Sequence, residues 1–187
     1  MPIEFTPSRP DAVRAINQRW LLKFWMRHLD GVWVPRWQAI RPDDLASLSD
    51  NLSLLDVTGD KPPRFRIRYH GRLIGRIYSS ADCRGRMLDE VIPKRRQAEA
   101  LAPYQQAARG ATPVYTIHDI TDAKGRLIHL ERLLLPFARD GETVDRILAS
   151  IECFCADGGF DADALMIAPD ATQIPKLLAM IAAQPVA

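Results

Sequence analysis

Cysteine is scarce in this chain: Cys83, Cys153 and Cys155 are the only three in 187 residues. An odd count with no framework spacing excludes a disulfide scaffold and fits a reducing compartment, so a cytoplasmic location is expected. No uncharged stretch approaches the roughly 18 apolar residues of a spanning helix. Met1-Pro2-Ile3-Glu4 opens neither a basic n-region nor an apolar h-region, so no secretory signal and no membrane partner are expected. Nucleotide-binding, hydrolase and metalloprotease motifs (G-x-G-x-x-G, Walker A, G-x-S-x-G, H-E-x-x-H) do not occur. Serines and acids are scattered without triad logic. No repeat and no low-complexity segment is visible. What is there is ordinary: 47% hydrophobic and 26% charged residues. That suffices for one domain with terminal elements and needs no disulfide or structural metal.

The net charge of +2 hides an asymmetry. Between Lys61 and Arg96 stand eleven Lys/Arg against three acids, Asp82, Asp89 and Glu90. Such a block can attract an anionic ligand, an acidic partner or nucleic acid. Several of these arginines alternate along a strand, so a solvated face matched by acids elsewhere is the expected reading.

Along the chain, residues 1–10 read as a loose lead-in, and Ser8-Arg9-Pro10-Asp11 as a helix cap. Val13, Ile16, Trp20 and Phe24 recur at helical spacing, widened by Leu21 and Trp25, and predict an amphipathic helix within 1–31. Its apolar side is too large to leave in water, so either the rest of the chain or a second copy must cover it. Arg41-Pro42-Asp43-Asp44-Leu45 opens a short helix. Leu52 to Thr58 and the strictly alternating Arg64–His70 are strands, the second with Phe65, Ile67 and Tyr69 on one face. Short helical turns follow, then a helix from Pro93 to about Arg109, interrupted or kinked at Pro103. Val114–Ile120, Leu127–Pro136 and Val144–Cys155 are strands in meander. A C-terminal tail, 158–187, carries a short helix through Ile174, Leu177, Leu178 and Ile181. The fold class is α+β: a five-stranded antiparallel sheet with helices on one face, plus N-terminal and C-terminal helices.

Two local features bear on chemistry. Cys153-x-Cys155 places both thiols on one strand face, half a zinc site at most, and reads as core. The Asp122-Ala123-Lys124-Gly125 turn sets His129 opposite His118 if tight, or opposite Asp119 if Gly125 forms a bulge, and the glycine favours the second.

In order and spacing, several segments together resemble a PAS domain. They are Val34-Pro35-Arg36, Ile40–Leu45, Leu54–Val57, Arg64–Gly71, Gly85–Asp89, Leu133–Phe137 and Val144–Leu148. The resemblance is to the stand-alone PAS variant of alphaproteobacteria and spans about residues 20 to 152 within a domain over 32–157. The chain departs from that pattern at Ser49, Gly71-Arg72 and Tyr78-Ser79. The resemblance implies a strand order of 2-1-5-4-3 and a sensory or interaction module in signal transduction rather than an enzyme. It also implies a small-molecule ligand or a signalling protein as partner. Some PAS domains bind haem, which would make the histidines candidate ligands; no metal site is otherwise expected.

A ligand would lie between the sheet and the 94–109 helix. Tyr69, Leu101, Tyr104, Ile117, Ala149 and Ile151 are its candidate contacts. Arg68 ranks below them, because alternation turns it to the other face. The alternative is that these side chains fill the space as a packed core. A homodimer through the N-terminal helix is expected. The competing functions are a small enzyme using His118 or His129 as base, and nucleic-acid binding through 61–96. The latter block carries few stacking aromatics beyond Tyr69 and Tyr78.

Overall fold

The computed structural model describes residues 3–78, 82–122, 124–163, 165–166 and 173–182. Alternating apolar residues build seven strands: β1 (Thr6–Ser8), β2 (Leu52–Val57), β3 (Phe65–His70), β4 (Val114–Thr121), β5 (Leu127–Phe137), β6 (Arg146–Cys155) and β7 (Gln173–Ile181). They form one sheet in the order β1-β7-β4-β5-β6-β2-β3. Its last five strands reproduce the expected 2-1-5-4-3 arrangement, read from the other edge. All pairings are antiparallel except β1 with β7.

Both terminal segments correct the expectation from sequence. The C-terminal helix is instead strand β7. Leu177, Ala179 and Ile181 point to one core at a period of two, a pattern that a short helical stripe shares over so few residues. The free edge of β4 decides between them, since an open edge favours pairing. Pro175 is accommodated where the β4–β7 register shifts. The lead-in is not loose either: Thr6–Ser8 pairs with Ala179–Ile181. The expected cap becomes a 3-10 turn at Pro10–Ala12.

Helix α1 (Ile16–Arg27) covers one face of the sheet. Leu21, Leu22 and Trp25 pack there on Leu133, Leu135 and Phe137. The short α2 (Pro42–Leu45), with Pro42 in its first turn, lies on the same side through Leu45. The other face is covered by α3 (Arg72–Ile77), α4 (Leu88–Val91) and α5 (Gln97–Gly110). Helices therefore lie on both faces, not one. The partner that covers α1 is its own sheet. The chain reverses into α3 at Gly71, where a Cβ would collide with the Ser49 and Asp50 carbonyl oxygens.

Trp25 anchors α1: it is 1% exposed, and its Nε1 donates a 2.6 Å hydrogen bond to the Pro136 carbonyl. Trp25→Ala should lower the free energy of unfolding in urea by about 3–5 kcal/mol, through the lost ring and the cavity it leaves.

Candidate functional site

The space between the sheet and α3–α5 is reached from the sequence through one irregularity. Opposite Leu54/Leu55 the β2–β3 register shifts, leaving Arg68 as the extra residue on β3. Alternation resets there. Phe65 and Ile67 face the helices, but Tyr69 turns to the opposite side, 40% exposed, and its hydroxyl donates to the Ser49 carbonyl. His70 takes the inward position. Tyr69 is therefore not a contact of this space, and a bulge of one residue is the reason. Arg68 does face away from it, in a 2.6 Å ion pair with Asp56.

Of the other candidates, Tyr104, Ala149 and Ile151 meet in the core under the helices, with Leu101 half-buried at its margin. Ile117 belongs to the α1 side instead. Side chains fill most of the space. What remains is a cavity of about 30 Å³, lined by Ser53, Ile67, His70, Tyr78, Tyr104 and Ile151 among others. That is far below the roughly 300–1,000 Å³ of ligand pockets. As it stands the cavity takes a few small atoms, and a haem does not fit.

Behind Tyr104 and Ile151 lies a polar group that sequence reasoning missed. Arg132, opposite Ile151 on β6, is 1% exposed, and its guanidinium stands 5.5 Å from the Tyr104 ring centroid. On β4 the neighbouring inward residues are Thr116, paired with Arg132, and His118. Burial, followed by the Arg132 charge, pushes His118 down to about 4. Burial also raises Tyr104 and Tyr78 and pushes the Cys153 thiol up to about 12. These four groups are thus held neutral beside the arginine. The signal that could have found Arg132 was its place in an apolar strand, between Leu130 and Leu134.

The α1 face holds polar groups of its own. Gly125 adopts φ +76°, and the bulged turn sets His129 opposite Asp119, as the glycine suggested. His129 Nδ1 lies 2.6 Å from Asp119 Oδ1, and Lys176 Nζ is 3.3 Å from the other oxygen. Burial would raise the Asp119 carboxyl, but its bonds to His129 and Lys176 outweigh that and hold it low. Nearby, Glu131 accepts from the Tyr115 hydroxyl at 2.6 Å and from the Ala15 N–H at 3.1 Å. Glu152, raised by burial, accepts from Asn17 and Asn51.

Part of the basic block is neutralised in place. Arg64 pairs with Asp89, Arg72 with Asp50, Arg76 with Asp163 and Arg84 with Asp82. Among the described residues no three His, Cys, Asp or Glu side chains gather as a metal ion would need. No helix among them is long and apolar enough to cross a membrane.

This architecture, a five-strand antiparallel core with α3–α5 on one face, is matched by sequence: the PAS domain family model covers residues 13–152. The chain belongs to the PAS domain family. No match to it is found among curated proteins. Family membership places the protein among modules that generally serve sensing and signalling.

Two measurements test the site. Ala149 is fully buried, so Ala149→Phe should cost about 1–3 kcal/mol through overpacking; a neutral result would mean that the space yields readily. His118 falls from its ordinary 6.5 to about 4 in the fold. Between those values the unfolded chain binds the extra proton, so stability should decline as pH drops from 6.5 towards 4, by up to about 3 kcal/mol. His118→Phe should flatten that stretch of the stability profile, measured by urea unfolding at each pH.

Proposed function

We propose that this PAS protein is a non-catalytic sensory module. A small molecule held under α3–α5 shifts the sheet, and β5 and β6 pass the shift to α1 and on to a partner protein. One observation carries the reading: α1 is bonded to the strand residues that alternate with those facing the cavity. Gln18 Nε2 donates to the carbonyls of Glu131 and Ser150, both at 3.1 Å, and Glu131 holds the Ala15 N–H at the start of the helix. Arg132 and Ile151, the next residues in chain, face the other way. A ligand that favours one position of these strands therefore favours one position of α1.

Support for the non-catalytic part is that His129 is turned to Asp119, its Nδ1 2.6 Å from Oδ1, on the face of the sheet away from the cavity. The paired arginines of 61–96 favour a solvated face over a nucleic-acid surface. Pairing of two copies through α1 belongs to the same proposal. It would use Ile16 and Trp20, the large apolar residues that the sheet leaves exposed.

The test is amide hydrogen exchange on the full chain and on Tyr104→Leu, which enlarges the cavity from the helix side by removing the ring that packs on Phe65 of β3 and Arg132 of β5. Altered protection across residues 16–27 is the expected result. A change confined to α5 and the cavity wall would overturn transmission through the sheet. Native mass spectrometry of the same samples reads copies per particle and any retained small molecule.

A further inference from the structure

The cavity under α3–α5 has a second space behind its wall. Tyr78, Cys83 and Val91 line the cavity, and the same three residues line an outer space beside α4 of about 460 Å³. That volume is in the range of ligand pockets, where the inner one is not. The outer space has an apolar floor, Ile92 and Pro93 joining Tyr78 and Val91, and a charged rim of Arg86, Lys94, Asp89 and Glu90. Its two acids are already engaged. Arg64 lies 3.0 Å from Asp89 and 3.5 Å from Glu90, and the other Glu90 oxygen accepts from the Met87 N–H. Its two cations are not. Arg86 donates to the Glu90 main-chain carbonyl at 3.1 Å, and among the described residues neither Arg86 nor Lys94 has a carboxylate partner. The backbone fixes where both stand. The Ile67 N–H of β3 donates to the Arg86 carbonyl at 2.9 Å, and the Gly85 N–H donates back to Ile67 at 2.7 Å. Lys94 opens the turn Lys94–Arg96 directly after Pro93.

We propose that the outer space and the cavity behind it form one site for a small amphiphilic anion, an acid head on an apolar tail. This names the ligand class of the sensory reading above, on which it rests. The head meets Arg86 and Lys94, which offer charge-assisted donors to an oxyanion and which no carboxylate of the described chain occupies. The tail lies on Val91 and Tyr78 and points between them and Cys83, towards Ile67, Tyr104 and Ile151 of the cavity. Polarity falls from the rim inwards, in the order that such a molecule presents it. A cation or a neutral molecule leaves the two rim cations unanswered. A bare oxyanion leaves the apolar floor in water.

Calorimetric titration of the full chain tests this, with hexanoate as the probe. Propionate serves as the short acid, 1-hexanol and hexylamine as the uncharged and cationic counterparts, and inorganic phosphate as the bare oxyanion, all at constant ionic strength. Hexanoate should bind saturably and roughly ten-fold or more tighter than propionate, because its further methylenes leave water. Hexanol, hexylamine and phosphate should each bind more weakly than hexanoate. Arg86 and Lys94 are exposed, and Arg86→Gln with Lys94→Gln should raise the Kd for hexanoate about ten-fold. Lys94→Gln alone carries the test if the double variant does not fold. Val91→Phe fills the passage between the two spaces and should remove the preference for hexanoate over propionate. Failure of hexanoate to bind saturably overturns the proposal. So does an unchanged Kd in the charge variants, equal binding of hexanol, a response to phosphate alone, or a chain-length preference that survives Val91→Phe. None of these outcomes touches transmission through the sheet, which stands or falls on the exchange pattern of Tyr104→Leu.

Discussion

The central strands of this sheet are covered on both faces along most of their length, and most of the structure follows from that. Along β5, Leu130, Arg132 and Leu134 meet the core beneath α3–α5, while Glu131, Leu133 and Leu135 meet α1. Each residue of β4 and β6 is assigned in the same way by the ladders that join them to β5. A slip of one residue would exchange the two cores entirely, so register is tightly specified here. Irregularity is accordingly pushed outwards. The register shifts fall between β2 and β3, and between β4 and β7, away from the doubly buried centre.

A strand buried on both sides makes an unpaired polar group costly, and each face meets that demand only in part. On the α1 side Glu131 is answered by Tyr115 and the Ala15 N–H, at the positive end of a helix. Gln18, fully buried, binds two strand carbonyls. These bonds fix the seat of α1 on the sheet. On the helix-covered side Arg132, Thr116 and His118 lack equivalent partners. Pairing is incomplete on the α1 side too, where Gln18 Oε1 and Ser150 Oγ have no hydrogen-bond partner.

At the periphery the physics is weaker. The arginines of 61–96 pair mostly in exposed positions, where each ion pair contributes little to stability. Their value is at the edge. β3 ends the sheet, and Arg66 and Arg68 stand exposed along it, a charged margin that discourages further strands from adding. A single bridge from Met87 closes part of that edge.

The α+β class, the five central strands, helix α1, most of helix α5 and the Asp119–His129 pairing were legible in the sequence, whereas no interruption occurs at Pro103, which lies inside α5. Each depends on periodicity or turn chemistry within a short stretch, as with Gly125 in the turn before β5. The order of the central strands came from the resemblance to the PAS family and not from any local pattern. Three matters were decided by the tertiary structure. Ile174–Ile181 became a strand because β4 offered an open edge far away in sequence. Tyr69 left the cavity because the β2 partner, not β3 itself, sets the bulge at Arg68. Arg132 is a buried charge only because β4, β6 and α5 close around it, and a strand with polar and apolar residues in alternation does not say which of its faces will stay dry. Local sequence determines what a segment can form; which edge, partner or cover it meets depends on residues distant in the chain.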